Sequence, residues 1–433
     1  MKRRLILATA ALLALSSGAL ANPPPALPPS PDDARWLAIL QRLGSPDFAH
    51  RQAAQKELDQ ATWRDLDLLK KSAAAATDPE IKARLSTYLA VLTEDLAVNP
   101  PPISLDLKSA TVWNVAETLG NVLHKKIDVW PSNVPTSGET SATFALSAKN
   151  QPFWEVFFAL SRQHPLKIRQ PDYKDFQRQQ LTVDRWGYPA PVFAGPLVVI
   201  PRALVRTRIA ALQRDTPDQL QPETLVLGCT FALDPRVRIM QRGPAQFSEI
   251  RDDLGNDLAL PEAGQNVGDP EPSVMGTLGD YWSFRLKTTA RRDARIVTAK
   301  GAIRYLVQTG VEHLDIADVE TRMGQTIDIA GYGVKVALVD VSPTRDRVRL
   351  DLEVVRNPAQ PPRFEYDGDP KGVVYVTLID ATGRETLLDP IYGVSKRAGS
   401  VIPFSAPLKM HLTVVTKTKD VAFPFELKDF PLP

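Results

Sequence analysis

Proline is the residue that most constrains this chain. It supplies 38 of the 433 residues, well above an average share of about 5%. Each proline fixes φ and removes a backbone donor, so long helices and central strands are excluded wherever prolines cluster. They cluster unevenly. Pro23, Pro24, Pro25, Pro28, Pro29 and Pro31 crowd residues 22–33, Pro100 to Pro102 form a second block, and many others punctuate the C-terminal half. These blocks read as joints between folding units, and the length predicts two to four domains at about 100–200 residues each.

The N-terminus predicts export. Lys2, Arg3 and Arg4 precede an apolar run over residues 5–15, and Ala19 and Ala21 place small residues at a cleavage site. This is the pattern of a secretory signal peptide over 1–21. The apolar run is shorter than the roughly 20 residues that span a bilayer, and Asn22 rather than cysteine follows the site, so neither a membrane anchor nor a lipoprotein is expected. The predicted location is the periplasm or the exterior. Removing the three basic residues leaves 49 basic against 50 acidic residues, a balance that argues against nucleic acid as a partner. Residues 22–33 then read as an extended, proline-rich linker.

Residues 34–98 carry apolar positions at helical spacing, such as Leu37, Ile39, Leu40 and Leu43, then Leu85, Leu89 and Leu92. Ser45-Pro46 and Asp78-Pro79 lie 33 residues apart, each with an arginine five residues after the proline, Arg51 and Arg84. A polar cap followed by proline suits a helix start, and the arginines are expected to reach acids or carbonyls of a neighbouring helix. The segment resembles HEAT-like repeats over about two units, fewer than the three such repeats need to stand alone.

Past the second proline block the rhythm becomes strand, helix, strand, twice over. The first half runs from Ile103 through a helix after Thr111 to a strand from Lys126, and the second from Thr143 through a helix ending at Gln163 to a strand from Leu166. An offset of 41 residues aligns Leu105 with Leu146, Lys108 with Lys149, Trp113 with Trp154, Val115 with Val156 and Leu119 with Leu160. The matching positions predict a duplicated βαβ module over 103–170, with Trp113 and Trp154 both packed between helix and sheet. The phrase Leu105-Asp106-Leu107-Lys108-Ser109-Ala110-Thr111, leading into Val115-Ala116, resembles the short N-terminal (STN) domain of secretins and TonB-dependent receptors. That resemblance implies a periplasmic interaction module and protein partners.

A connection over 171–190 leads to short apolar runs separated by turn signals, which predicts β-sandwiches. Phe231-Ala232-Leu233-Asp234-Pro235 is followed by Asp252-Asp253-Leu254-Gly255, and Val354-Val355-Arg356-Asn357-Pro358 by Asp380-Ala381-Thr382-Gly383. Aspartate followed by glycine is tight-turn chemistry. The pattern predicts tandem immunoglobulin-like sandwiches over 191–316 and 317–433, giving a multidomain α+β chain. This half is similar to β-rich tails of exported bacterial proteins of unknown function.

No catalytic, metal or cofactor motif stands out. The five histidines are scattered singly, the lone Cys229 sits in an apolar strand as an inert thiol, and the acids at 252–253 and 367–369 lack the spacing of a calcium loop. The candidate binding residues are cations: Arg202, Arg206 and Arg208, with Arg214 nearby, and Arg285, Arg291 and Arg292 in a group with Lys287, Arg295 and Lys300. Their alternating spacing predicts that several share a strand face. The sequence points to a non-catalytic envelope protein that binds protein partners. A cell-wall glycan bound by the β-rich half is the second reading, and a hydrolase without a recognisable motif the third.

Overall fold

The structure is a computed structural model that describes residues 31–129, 143–164, 166–169, 178–183, 191–207, 223–261, 271–272, 279–288, 295–322, 326–329, 334–341, 347–354, 374–383, 385–387, 397–398, 402–403 and 407–431. The signal segment with Ala19 and Ala21, most of the first linker and the Asn357-Pro358 turn lie outside these residues. The fold is α+β, with helices and mainly antiparallel sheets, in two units divided between Leu89 and Ala90.

The smaller unit holds α1 (Pro31–Leu43), α2 (Phe48–Leu58), α3 (Leu66–Ala75) and the first turns of α4 (Pro79–Val98). Trp36, Ile39, Leu43, Ala54, Leu58, Leu69 and Leu85 form its core, while Leu37 points outward and is 53% exposed. The two capping signals resolve differently. Asp78 caps α4 through the amides of Glu80 and Ile81 with Pro79 at the first helical position, as expected. At α2 the cap is Asp47, which accepts from Ala49, so Pro46 lies before the helix. The arginines also stay local. Arg51 donates to the carbonyls of Ser45 and Pro46, and Arg84 to Glu80 one turn earlier. The contact between neighbouring helices is made instead by Arg42, bidentate on Glu57 at 2.7 Å, which the sequence reading missed.

In the larger unit, β1 (Ile103–Ala110), α5 (Val112–Leu123) and β2 (Lys126–Val129) are followed by β3 (Phe144–Gln151), α6 (Phe153–Gln163) and β4 (Leu166–Arg169). The element order is the expected one, but the pairing crosses between halves. β1 pairs antiparallel with β3, whereas β2 and β4 flank β5 (Arg178–Val183), so β1 and β2 are not strands of one sheet. β5 comes from the expected connection and completes that sheet.

The β1–β3 register supports the 41-residue offset. Asp106 faces Ser147, its own equivalent, and Leu105–Ala148 becomes Leu107–Leu146 when the halves are exchanged. Ser109 and Asn150, also equivalent, both take positive φ at register shifts near the two ends of the ladder, as bulge residues do. Gly120 and Ser161 match again. A Cβ on Gly120 would sit 2.8 Å from the carbonyl oxygen of Lys125, and the Ser161 hydroxyl meets the backbone of Leu166, the equivalent of Lys125.

The next strands are β6 (Val192–Ala194), β7 (Leu197–Thr207), β8 (Thr224–Leu233), β9 (Ile239–Asp252), β10 (Glu271–Pro272), β11 (Asp280–Leu286) and β12 (Arg295–Ile316). There follow β13 (Thr326–Ile329), β14 (Val334–Val341), β15 (Arg347–Val354), β16 (Val374–Ile379), β17 (Glu385–Leu387), β18 (Arg397–Ala398), β19 (Ile402–Pro403) and β20 (Lys409–Pro431). One sheet runs β10-β11-β8-β7-β6, a second β17-β16-β20-β12-β9, and a third β13-β14-β15-β18 with β19 on β15. Alternation builds the core between the first two. Leu225, Leu227, Cys229, Phe231 and Leu233 of β8 join Phe247, Ile303, Tyr305, Phe423, Phe425 and Leu427 in one buried cluster. The opposite face of the first sheet is buried too: Val198, Ile200 and Ala232 belong to the core of the duplicated module. Module and sandwich therefore share a sheet.

The expected division at 316–317 falls across a continuous ladder. β20 pairs with β12 from Met410–Ile316 to Pro431–Arg295, placing the last strand of the chain in the core assigned to 191–316. The Asp-to-Gly half of each phrase turns as its chemistry requires. Gly255 and Gly383 have φ of 80° and 78°, and their amides reach the carbonyls of Asp252 and Asp380. The Asp252 carboxylate accepts from Leu254 and Asn256. It is a turn cap.

Candidate functional site

The arginine candidates separate on folding. A bulge between Pro201 and Ala203 adds one residue to β7, which reverses the facing of everything after it. Arg202 donates to Thr230 at 3.1 Å on the module side of the sheet. Arg206 is level with Leu225 on the sandwich side, largely buried, with Glu223 at 3.8 Å. Arg285 is exposed, opposite Val226 on β11. Lys287 lies 3.4 Å from Asp257, and Lys300 stands on β12, in the other sheet, 3.2 Å from Glu249. The even spacing therefore does not gather these cations on one face. Arg208, Arg214, Arg291 and Arg292 lie outside the described residues.

Two other places bring chemistry together. The first is a polar junction between module and sandwich. Lys125, in the turn after α5, donates to the carbonyl of Pro235 in the turn after β8. Asp234 holds that turn by accepting from the amide and guanidinium of Arg236. Burial, then the nearby Arg238, pushes the Lys125 ammonium down to about 8. Burial also lowers Arg238.

Beyond Arg238 the β12–β20 ladder assembles residues that look isolated in sequence. His411 Nδ1 is 2.6 Å from Asp315, His411 Nε2 is 3.3 Å from the Thr413 hydroxyl, and that hydroxyl is 3.0 Å from His313 Nδ1. The two imidazoles stack with centroids 5.1 Å apart. The expectation of five scattered histidines is thus corrected: pairing at long sequence separation joins two of them, and period-two spacing around each was the only sequence trace. Partial desolvation, then His411 and Arg238, lowers the His313 pKa against the pull of Asp315. The chain can relay a proton, but Thr413 is only 7% exposed. Among the described residues, no three His, Cys, Asp or Glu side chains form a group that could hold a metal ion.

The second place is an open cleft of about 740 Å³ between β6 and the second sheet. It is lined by Val192, Phe193 and Ala194 on one side, and by Ser248, Lys300, Gly301, Pro424, Phe425, Glu426 and Lys428 on the other. Gly301 has no room for a side chain, since a Cβ would come within 2.3 Å of the Gln246 carbonyl oxygen. Phe193 packs edge-on against Phe158 of α6 at 5.7 Å and remains 37% exposed. The sequence reading missed this cleft because its walls are far apart in the chain. Cys229, by contrast, is fully buried as expected, and burial pushes its thiol far above its ordinary value.

Among the described residues no helix is long and apolar enough to cross a membrane. Comparisons with protein-family models, curated proteins and solved structures give no match for this chain.

Proposed function

We propose that this chain is an exported, non-catalytic envelope protein that works by binding other proteins through its fused module and sandwich. Export rests on the basic-then-apolar N-terminus and the small residues at Ala19 and Ala21. In this reading the duplicated halves form an STN-like βαβ module, and the β-rich half comprises immunoglobulin-like sandwiches. The observation that carries the function is the open cleft beside β6, where apolar walls meet the charged side chains of Lys300, Glu426 and Lys428. Exposed apolar surface rimmed by charge is how protein-recognition sites are built.

Crosslinking in intact cells tests it. The full chain is expected to give discrete protein adducts that diminish in a Lys300→Glu/Lys428→Glu variant; the same adducts at the same yield would count against the cleft. Deleting 103–170 is a poor control, because it would uncover Val198, Ile200 and Ala232. A glycan reading draws on the same cleft, where Phe193 and Phe425 lie beside Ser248 and Glu426, and it requires binding to purified cell wall.

A further inference from the structure

We propose that the cluster of Asp315, His411, Thr413 and His313 is a one-proton switch, which takes up a proton at the exposed His313 and holds the charge on His411. The register builds the cluster: Asp315 stands opposite His411, and His313 opposite Thr413, where β12 pairs with β20. Hydrogen-bond counting fixes where its protons lie. The Asp315 carboxylate, 2.6 Å from His411 Nδ1, can only accept, so that nitrogen carries a proton. Neutral His411 therefore has a bare Nε2, which takes the single hydroxyl proton of Thr413 at 3.3 Å. The Thr413 oxygen is left as an acceptor, and His313 must meet it, at 3.0 Å, with a protonated Nδ1. One carboxylate thus sets the tautomer of both imidazoles.

A proton added to this chain of bonds reverses it. Joining His313 at Nε2, it drives the Nδ1 proton onto Thr413 and the Thr413 proton onto His411 Nε2. His411 becomes the imidazolium, and His313 is left neutral with its proton on Nε2. The charge settles there because of what faces each ring. His411 has Asp315. His313 has Arg238 from the turn before β9, and Lys125 lies beyond Arg238. From β16 the titratable group is Tyr375, opposite Thr413 and facing Arg238. A second proton has no such path. Both rings would then donate to the Thr413 oxygen, the hydroxyl proton would lose its acceptor, and two cations would stack with centroids 5.1 Å apart. The switch therefore turns Nε2 of His313, an exposed residue, from acceptor into donor while that ring stays uncharged. It changes what this face offers a partner.

Long-range proton–nitrogen correlation spectra of the full chain, isotope-labelled at histidine, read each ring nitrogen from about pH 8 to about pH 5, a range that brackets an ordinary histidine. His313→Gln and His411→Gln assign the signals. The expected result is His313 protonated on Nδ1 at the alkaline end and on Nε2 once the cluster has taken up one proton, with His411 protonated on both nitrogens in the same step. Asp315→Asn and Thr413→Val are expected to abolish the reversal, whereas Thr413→Ser keeps it. A His313 that holds one tautomer throughout, a His313 that becomes the cation first, or two rings that charge together overturns the switch. The native spectra decide this whatever the variants do to folding.

Discussion

Trp113 and Trp154 occupy matching positions at the starts of α5 and α6, yet Trp113 is 50% exposed and Trp154 only 4%. What differs is what each helix faces. α6 carries Phe158, which touches Phe193 of the sandwich, and Trp154 packs with Phe157 and Phe158. The position matching Phe158 in α5 is Glu117. The expectation that both tryptophans pack between helix and sheet is therefore corrected for Trp113. In urea denaturation Trp154→Ala is expected to cost about 3–5 kcal/mol, and Trp113→Ala less than about 1 kcal/mol. Equal losses would contradict the asymmetry. His313 gives a pH dependence at the same scale. Its folded-state pKa lies below 6.5, so the unfolded chain binds more protons between the two values. Its contribution is complete above the unfolded pKa and is lost as pH falls through that window. Denaturation midpoints from pH 7.5 down to 5 should decline less steeply in His313→Gln than in the native chain; parallel slopes would remove His313 from the account.

At the scale of elements, most strands and helices were legible because their signals are local. Thr111 caps α5 in a box with Asn114, the Asp-to-Gly phrases make their turns, and buried runs such as Leu197 to Ile200 become strands. What was not legible is how distant elements pair. The βαβ reading followed sequence neighbours, whereas β1 chose β3 and β5 entered between β2 and β4. The strand-face reading of the arginines failed for a related reason. Period-two arguments hold only while no residue is inserted, and one bulge beside Pro201 separates Arg202 from Arg206. The five identities were the whole of the duplication signal in the sequence. Its deeper marks, the paired bulges at Ser109 and Asn150 and the small residues Gly120 and Ser161, are geometric equivalences between unlike residues.

For the whole molecule, proline marks some joints but not all. Pro100 to Pro102 precede the duplicated module, yet its core continues into the sandwich through Val198, Ile200 and Ala232. The duplicated segment and the first two sheets are consequently read as one fused body and not as separable modules. The cleft beside β6 exists because of that fusion, since Phe193 touches α6 while Val192 and Ala194 pack on the sandwich core. The central claim is that this cleft is where the chain meets its protein partner. The most direct measurement places a photoreactive side chain at Ala194 and, in a second chain, at Leu254, which is 63% exposed in the turn after β9. After irradiation of intact cells, the expected result is a defined protein adduct from position 194 and none of that mass from 254. The same adduct at equal yield from both positions, or none from 194, would contradict the claim.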